Sequence, residues 1–268
     1  MTHTDIFNRL WSSYILQNPS TKAVYDLFLA EGETVVNDHV AFRTFRHPAI
    51  GVDVLSQVFL KNGYEYKGDY HFETKKLYAK HFEHLTDREA PRVFISELLT
   101  EEFSPFLQKT AAAWASAIPA TITNSDDLIY SGNISGVPSW EVYEKLRTES
   151  EYAAWLYVNG FCANHFTVSV NRLNKIDSVE KVNSLLKSHG FLLNDAGGEI
   201  QGTPAELLEQ SSIRAGMVKF TFIEGQFEIP GCYYEFARRY PDSDGNLYSG
   251  FIAKSADKIF ESTNFYKK

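Results

Sequence analysis

Two histidines and a glutamate, His39, His165 and Glu235, are the residues of this chain whose types and placement invite chemistry. They lie in strand-like stretches: Asp38-His39-Val40-Ala41-Phe42-Arg43-Thr44-Phe45, Asn164-His165-Phe166-Thr167-Val168-Ser169-Val170 and Cys232-Tyr233-Tyr234-Glu235-Phe236. Two imidazoles and one carboxylate converging from different strands would make a facial triad on one divalent cation, with three adjacent coordination positions left for a small molecule and oxygen. These donors suit non-haem Fe(II), but they also accept Mn, Ni or Zn, so residue type alone does not choose the metal. Taken singly, a histidine on a half-buried strand is more often a hydrogen-bonded core or surface residue than a ligand. The pair weighs more, because core packing does not ask for a polar ring at the start of two equivalent strands. Glu235 lies among Cys232, Tyr233, Tyr234 and Phe236, where an unpaired carboxylate is costly to bury and a cation removes the cost.

Two further residues attach to this set. Arg43 lies four residues beyond His39 on the same strand face, at most about 13 Å along the backbone. An inward arginine beside a cationic metal needs an anion between them, so Arg43 reads as a bidentate clamp for a substrate carboxylate; the plainer alternative is an ion pair with Asp38, Glu97 or another acid. Glu97, in Val93-Phe94-Ile95-Ser96-Glu97-Leu98, reads as a fourth ligand, as a partner that hydrogen-bonds a ligand, or simply as a solvent-facing carboxylate at a strand end.

The elements that must position these side chains occur twice. Phe7, Leu10, Trp11, Tyr14 and Ile15 predict a first helix, and a second starts near Ser20 or Thr21 and carries Val24, Leu27 and Phe28. The strand bearing His39 is followed by a helix through Val52, Leu55, Val58 and Phe59, stopped at Asn62-Gly63, and then by strands near Lys76–Phe82 and Arg92–Leu98. The order recurs in the strand bearing His165, a helix through Val179, Val182, Leu185 and Leu186 ended by His189-Gly190, and strands at Met217–Phe222 and Gly231–Ala237. The copies agree at a strand histidine (His39, His165), a helix-ending glycine (Gly63, Gly190) and a late strand glutamate (Glu97, Glu235), which marks an internal duplication. Helical segments near Phe106–Ile118 and Trp140–Val158 separate them, joined by the polar stretch Asn124–Pro138. The expected fold class is α+β: two βαβββ-type modules, at about residues 35–100 and 161–238, forming a curved mixed sheet around a central metal site within a single domain. Helices at 1–30 and 104–158 are added to it.

Composition removes other classes. The chain has 268 residues and 44% hydrophobic content, enough for a real core. It lacks a signal-peptide pattern and any run of 18 apolar residues, so a membrane partner is not expected and the reading is cytoplasmic. A net charge of −8 without a basic, aromatic-interleaved stripe argues against nucleic acid. Cys162 and Cys232 read as buried free thiols. His71, His81 and His84 fall in the charged stretch Lys75–Glu83 and read as a solvated strand edge, whereas Asp242-Ser243-Asp244-Gly245-Asn246 resembles a calcium loop without its late glutamate and reads as a turn. Nothing here sets the oligomeric state.

The stretch Asp38–Phe45, with its His-x-x-x-Arg, together with Asn164-His165-Phe166-Thr167 and Tyr233-Tyr234-Glu235-Phe236, resembles the 2-oxoadipate dioxygenase/decarboxylase family over most of the chain. The resemblance implies a vicinal-oxygen-chelate-like fold, Fe(II) held by His39, His165 and Glu235, and Arg43 on the substrate carboxylate. It also implies that 2-oxoadipate and O2 are converted to 2-hydroxyglutarate and CO2, in lysine breakdown, with no separate 2-oxoglutarate. Two other functions remain compatible with the residues: a redox-silent hydrolase or isomerase using Zn(II), Ni(II) or Co(II) as Lewis acid, and a non-catalytic small-molecule-binding protein.

Overall fold

The computed structural model describes residues 2–263. The opening apolar spacing becomes α1 (His3–Gln17), with Ile6, Phe7, Leu10 and Tyr14 buried. Pro19 then opens α2 (Pro19–Ala30), at the helix start where the missing N–H of proline leaves no bond unmade. After β1 (Asn37–Phe45), the helix expected through Phe59 is two short turns, α3 (Val52–Leu55) and α4 (Gln57–Leu60), divided at Ser56. Gly63 follows with φ of +90°, a left-handed stop that a side chain would strain. Next come β2 (Tyr64–Phe72), β3 (Leu77–His84) and β4 (Arg92–Leu98).

The middle of the chain supplies α5 (Pro105–Ser116), α6 (Ala120–Thr123), α7 (Trp140–Glu149) and α8 (Glu151–Asn159). The single helix expected across 140–158 breaks at Ser150, whose backbone is extended and whose hydroxyl accepts from Ala153 N to cap the second piece. Then follow β5 (Ala163–Ser169), α9 (Val179–Ser188), β6 (Gln201–Thr203), β7 (Leu208–Ser212), β8 (Met217–Phe222), β9 (Gly225–Pro230), β10 (Tyr233–Arg239) and α10 (Ala253–Ile259). No helix among the described residues is long and apolar enough to cross a membrane.

Contacts divide the chain into two interleaved compact units, one of residues up to 14, 41–164 and 218–229, the other of 15–40, 165–217 and 230 onward. The first unit carries strands in the order β2-β3-β4-β1, with β2, β3 and β4 antiparallel. In the second the order is β1-β5-β10-β7-β6, and β10 runs parallel to β5 but antiparallel to β7. Mixed strands with helices make the α+β architecture expected from the sequence. In the first core Phe7 meets Phe59 and Tyr64; in the second Phe28 meets Phe236.

Several local expectations need correction. β1 is buried on both faces, so its alternation does not divide an inside from an outside. Met217–Phe222 is a strand, but it pairs with β9 in a separate two-stranded sheet, and the antiparallel neighbour of β10 is β7. That hairpin docks within the first unit: Glu224 accepts from Ser139 Oγ at 2.6 Å and from Trp140 N at 2.7 Å, while Trp140 stacks on Phe227 with ring centroids 4.1 Å apart. The carboxylate thereby sits at the electropositive start of α7. His81 is not on a solvated edge but 3% exposed, with Tyr70 Oη 2.9 Å from Nδ1 and Glu83 Oε1 3.1 Å from Nε2. Cys232 is buried and Cys162 half-buried, both as free thiols. Asp242 Oδ1 accepts from Asp244 N and Asn246 N, which makes residues 242–246 the expected turn.

One side chain joins helix to strands in the first unit. The Tyr152 hydroxyl accepts from Thr44 N at 3.0 Å and donates to Ser96 O at 2.7 Å, standing between two backbone groups of β1 and β4. Just beyond it Arg46 N reaches Leu98 O directly. Burial pushes the Tyr152 phenol far above its usual range, so it stays a neutral hydroxyl. Tyr152→Phe strips partners from a buried amide and a buried carbonyl, and is expected to lower unfolding stability by about 1–3 kcal/mol. Urea unfolding of the variant beside the parent checks this, and equal midpoints with equal slopes would refute it.

Candidate metal centre

Strand pairing brings the candidate ligands together. In the parallel pair β5 and β10, Tyr233 stands opposite His165 and Glu235 opposite Thr167, so these side chains share one face. On the other side of β10, Glu235 is opposite Ser212 and Ala237 opposite Gln210. His39, on the part of β1 that belongs to the same unit, has its Nε2 3.0 Å from Thr167 Oγ1. The result is a group in which one ligand atom each from His39, His165 and Glu235 lies within 4.8 Å of the others, all three residues buried.

The finer distances suit a shared cation. His165 Nε2 is 3.2 Å from Glu235 Oε2, and His39 Nε2 is 3.6 Å from Glu235 Oε1. A divalent metal bonded at about 2.0–2.2 Å holds neighbouring donor atoms about 3 Å apart, so modest adjustment suffices. The tautomer fits as well. Asp38 Oδ2 lies 2.8 Å from His39 Nδ1, which assigns the proton to Nδ1 and leaves the Nε2 lone pair facing the site.

Glu235 is 1% exposed. Burial pushes its carboxyl from an ordinary 4.5 up to about 8; the Gln210 amide opposes the rise by donating to Oε1, nearby Asp38 adds to it, and Arg239 opposes it. A carboxylate this strained toward protonation is one that a cation would relieve. Aromatic walls complete the setting: Tyr233 stacks on His165 at 4.6 Å, and Phe251 meets His39 edge-on at 4.8 Å.

The other predicted residues lie in the first unit. Arg43 is 1% exposed, pairs with Glu151 at 3.1 Å, and has its guanidinium carbon 4.8 Å from the Tyr152 ring and 5.0 Å from the Trp155 ring. This pair with Glu151 is an ion pair with another acid, the plainer alternative that the sequence left open for Arg43. Glu97 accepts from Arg46 Nε at 2.8 Å and from Val52 N at 3.0 Å, an anion at the start of α3; it is buried, not solvent-facing. Among the described residues it is not in the group formed by His39, His165 and Glu235.

Sequence reasoning missed the residues that support the ligands: Thr167, Gln210, Arg239 and Phe251. Two of them left a signal. Thr167 is two residues beyond His165, and Arg239 four beyond Glu235, so each shares a strand face with a ligand. Gln210 and Phe251 reach the site from elements whose pairing has no local signature.

The chain is similar to known proteins along most of its length. A protein from Shewanella frigidimarina NCIMB 400, provisionally described as a hydrolase, is 47% identical, with a TM-score of 0.88 over 94% of this chain and 98% of that one. The hydroxyglutarate synthase from Oryza sativa, solved in complex with 2-oxoadipate, is 33% identical, with a TM-score of 0.87 over 97% of this chain and 91% of that one. A protein from Ralstonia eutropha JMP134, provisionally described as a member of the glyoxalase superfamily, is 22% identical and shares the fold, with a TM-score of 0.73 over 90% of this chain and 83% of that one. The family profile for 2-oxoadipate dioxygenase/decarboxylase matches residues 15–125 and 131–245, which include His39, Arg43, His165 and Glu235. The chain belongs to the 2-oxoadipate dioxygenase/decarboxylase family.

Proposed function

We propose that this chain is an Fe(II)-dependent dioxygenase/decarboxylase that converts 2-oxoadipate and O2 to 2-hydroxyglutarate and CO2. The observation that carries the reading is the buried group of two imidazoles and one carboxylate within 4.8 Å, in a chain of this family. The products hold every atom of the reactants: the C1–C2 bond breaks, carbon 1 leaves as CO2 with the two oxygens of its own carboxylate, and both atoms of O2 enter 2-hydroxyglutarate, one in its new carboxylate and one in its hydroxyl. When bound, Fe(II) would supply a redox-active centre with adjacent positions for the 2-oxo acid and oxygen.

The chain's own residues prepare that setting. His39 and His165 would present their Nε2 atoms and Glu235 its carboxylate, with Asp38 fixing the tautomer of His39 and Gln210 holding Glu235 Oε1. Phe251 and Tyr233 pack on the imidazoles and keep water from them. We assign Arg43 to a carboxylate of the substrate: its flat, buried guanidinium is held against Tyr152 and Trp155, and its fork suits bidentate recognition.

Three outcomes follow from this reading. Metal-free protein reloaded anaerobically with Fe(II) is expected to consume oxygen when 2-oxoadipate is added; no uptake across a panel of 2-oxo acids refutes the reading, and turnover without oxygen selects a redox-silent Zn(II), Ni(II) or Co(II) enzyme. Arg43→Lys is expected to raise KM for 2-oxoadipate by about tenfold or more while leaving metal affinity unchanged, because a point charge replaces the fork. Equal KM values in steady-state kinetics would remove Arg43 from that role.

The third outcome concerns pH. Between about 4.5 and about 8 the folded metal-free chain holds a proton on Glu235 that the unfolded chain has lost, so this group's contribution to stability falls as pH rises through that window. A bound cation replaces the proton. The rise in Tm on adding Co(II) or Zn(II) is therefore expected to grow from pH 6 to pH 8 and then level off. Thermal unfolding across that range, with and without metal, reads it, and an increment independent of pH is the contrary result.

A further inference from the structure

Behind His39 the buried polar contacts run on past Asp38 to residues to which the proposed reaction gives no role. Asp38, 5% exposed, accepts from His39 Nδ1 at 2.8 Å. Its two oxygens also take both arms of Arg239, Nε to Oδ1 at 2.8 Å and Nη2 to Oδ2 at 2.9 Å. Arg239 is itself 3% exposed, and its remaining arm, Nη1, donates to Tyr248 O at 2.9 Å and Gly250 O at 2.7 Å. Its backbone is pinned in turn, since Asn171 accepts from Arg239 N at 2.8 Å and donates to Arg239 O at 2.9 Å. The segment that Arg239 grips continues into Phe251, whose ring meets His39 edge-on and lies 5.3 Å from the Arg239 guanidinium carbon.

Stability alone is a poor reason for this arrangement. A buried ion pair loses in desolvation about what it gains in attraction, and apolar residues of equal volume often serve as well. What an apolar pair would not supply is direction. A carboxylate held on both oxygens by a planar fork cannot rotate, so its second lone pair on Oδ2 fixes the plane of the imidazole and the nitrogen that carries the proton.

We infer that Arg239 is a positioning residue for the metal ligand His39, acting through Asp38, and that residues 248–251 are the part of the chain that sets its place. The inference rests on the metal reading above and assigns a role to the segment after β10. The Arg239 guanidinium spends its arms on the Asp38 carboxylate and on the Tyr248 and Gly250 carbonyls. Its effect is relayed in a fixed order: Tyr248 and Gly250 carbonyls, guanidinium, Asp38 carboxylate, His39 Nδ1.

A relay makes a prediction that independent supports do not. Affinity of the metal-free protein for Co(II), measured by competition with a chromophoric chelator, is expected to fall about 10–100-fold in Asp38→Asn. It is expected to fall severalfold in Arg239→Lys, which keeps the charge but loses the fork. In the double variant Arg239→Lys is expected to add nothing beyond Asp38→Asn, because the path is already cut. Additive losses, or single variants with parental affinity, overturn the inference. Failure of the parent chain to bind Co(II), Fe(II) or Zn(II) at all would instead overturn the metal reading. Should Arg239→Lys fail to fold, as judged by its unfolding profile, histidine nitrogen NMR of the metal-free parent and Asp38→Asn still decides: His39 is expected to carry its proton on Nδ1 in the parent and to populate both tautomers in the variant. An unchanged tautomer in Asp38→Asn refutes the relay.

Discussion

A carboxylate with 1% of its surface exposed keeps its charge only where a positive charge stands beside it, and burial holds the Glu235 carboxyl well above its ordinary range. The guanidinium that opposes its raised pKa, Arg239, has two arms on Asp38 and the third on backbone carbonyls. The groups that touch Glu235 are an amide, from Gln210, and two imidazoles whose Nε2 atoms face it. Strand pairing, burial and the aromatic lining thus converge on one group of two imidazoles and a carboxylate, a donor set that could hold a divalent cation accepting nitrogen and oxygen together.

The two arginines that follow ligands at four-residue spacing illustrate how one sequence pattern takes two physical forms. Arg43 follows His39, and Arg239 follows Glu235. Each is almost wholly buried and each has an acid, yet Arg43 pairs with Glu151 at the head of a helix and lies against two aromatic rings, whereas Arg239 grips Asp38 beside His39. The first is assigned, under the proposed function, to an anion that its fork and face suit; the second has its fork fully engaged on Asp38 and is inferred to hold its neighbour still. Chain position predicts that both point inward. Only the partners distinguish their work.

The convergence of His39, His165 and Glu235 was legible in the sequence because it rests on local pattern: alternation places a side chain on a strand face, and duplication marks the same position twice. Helices ended by Gly63 and Gly190 were legible for the same reason, since a left-handed stop has a residue type of its own. What stayed hidden depends on pairing between distant strands. β2 exposes Tyr66, Lys67, Asp69 and His71 and slips register between Tyr66 and Gly68, which blurs its alternation. Met217–Phe222 has a clear strand pattern, but no local feature says which sheet it joins. His81 sits in a charged stretch yet is buried, because Tyr70 and Glu83 satisfy both ring nitrogens. Glu97 matches Glu235 by position in the duplication and still serves Arg46 and the first turn of α3.

The hairpin of β8 and β9 carries a consequence for how the protein is made. It completes the first unit, where Glu224 accepts from Trp140 N and Phe227 covers Trp140, but it leaves the ribosome after most of the second unit has been synthesised. The first unit is incomplete until residues 218–229 arrive: Ser139 caps α7 by itself, but Trp140 N lacks its Glu224 carboxylate and the Trp140 ring lacks Phe227. Proteolytic halves cut between β7 and β8 would each lack a piece lodged in the other, so the chain is expected to resist dissection into autonomous fragments.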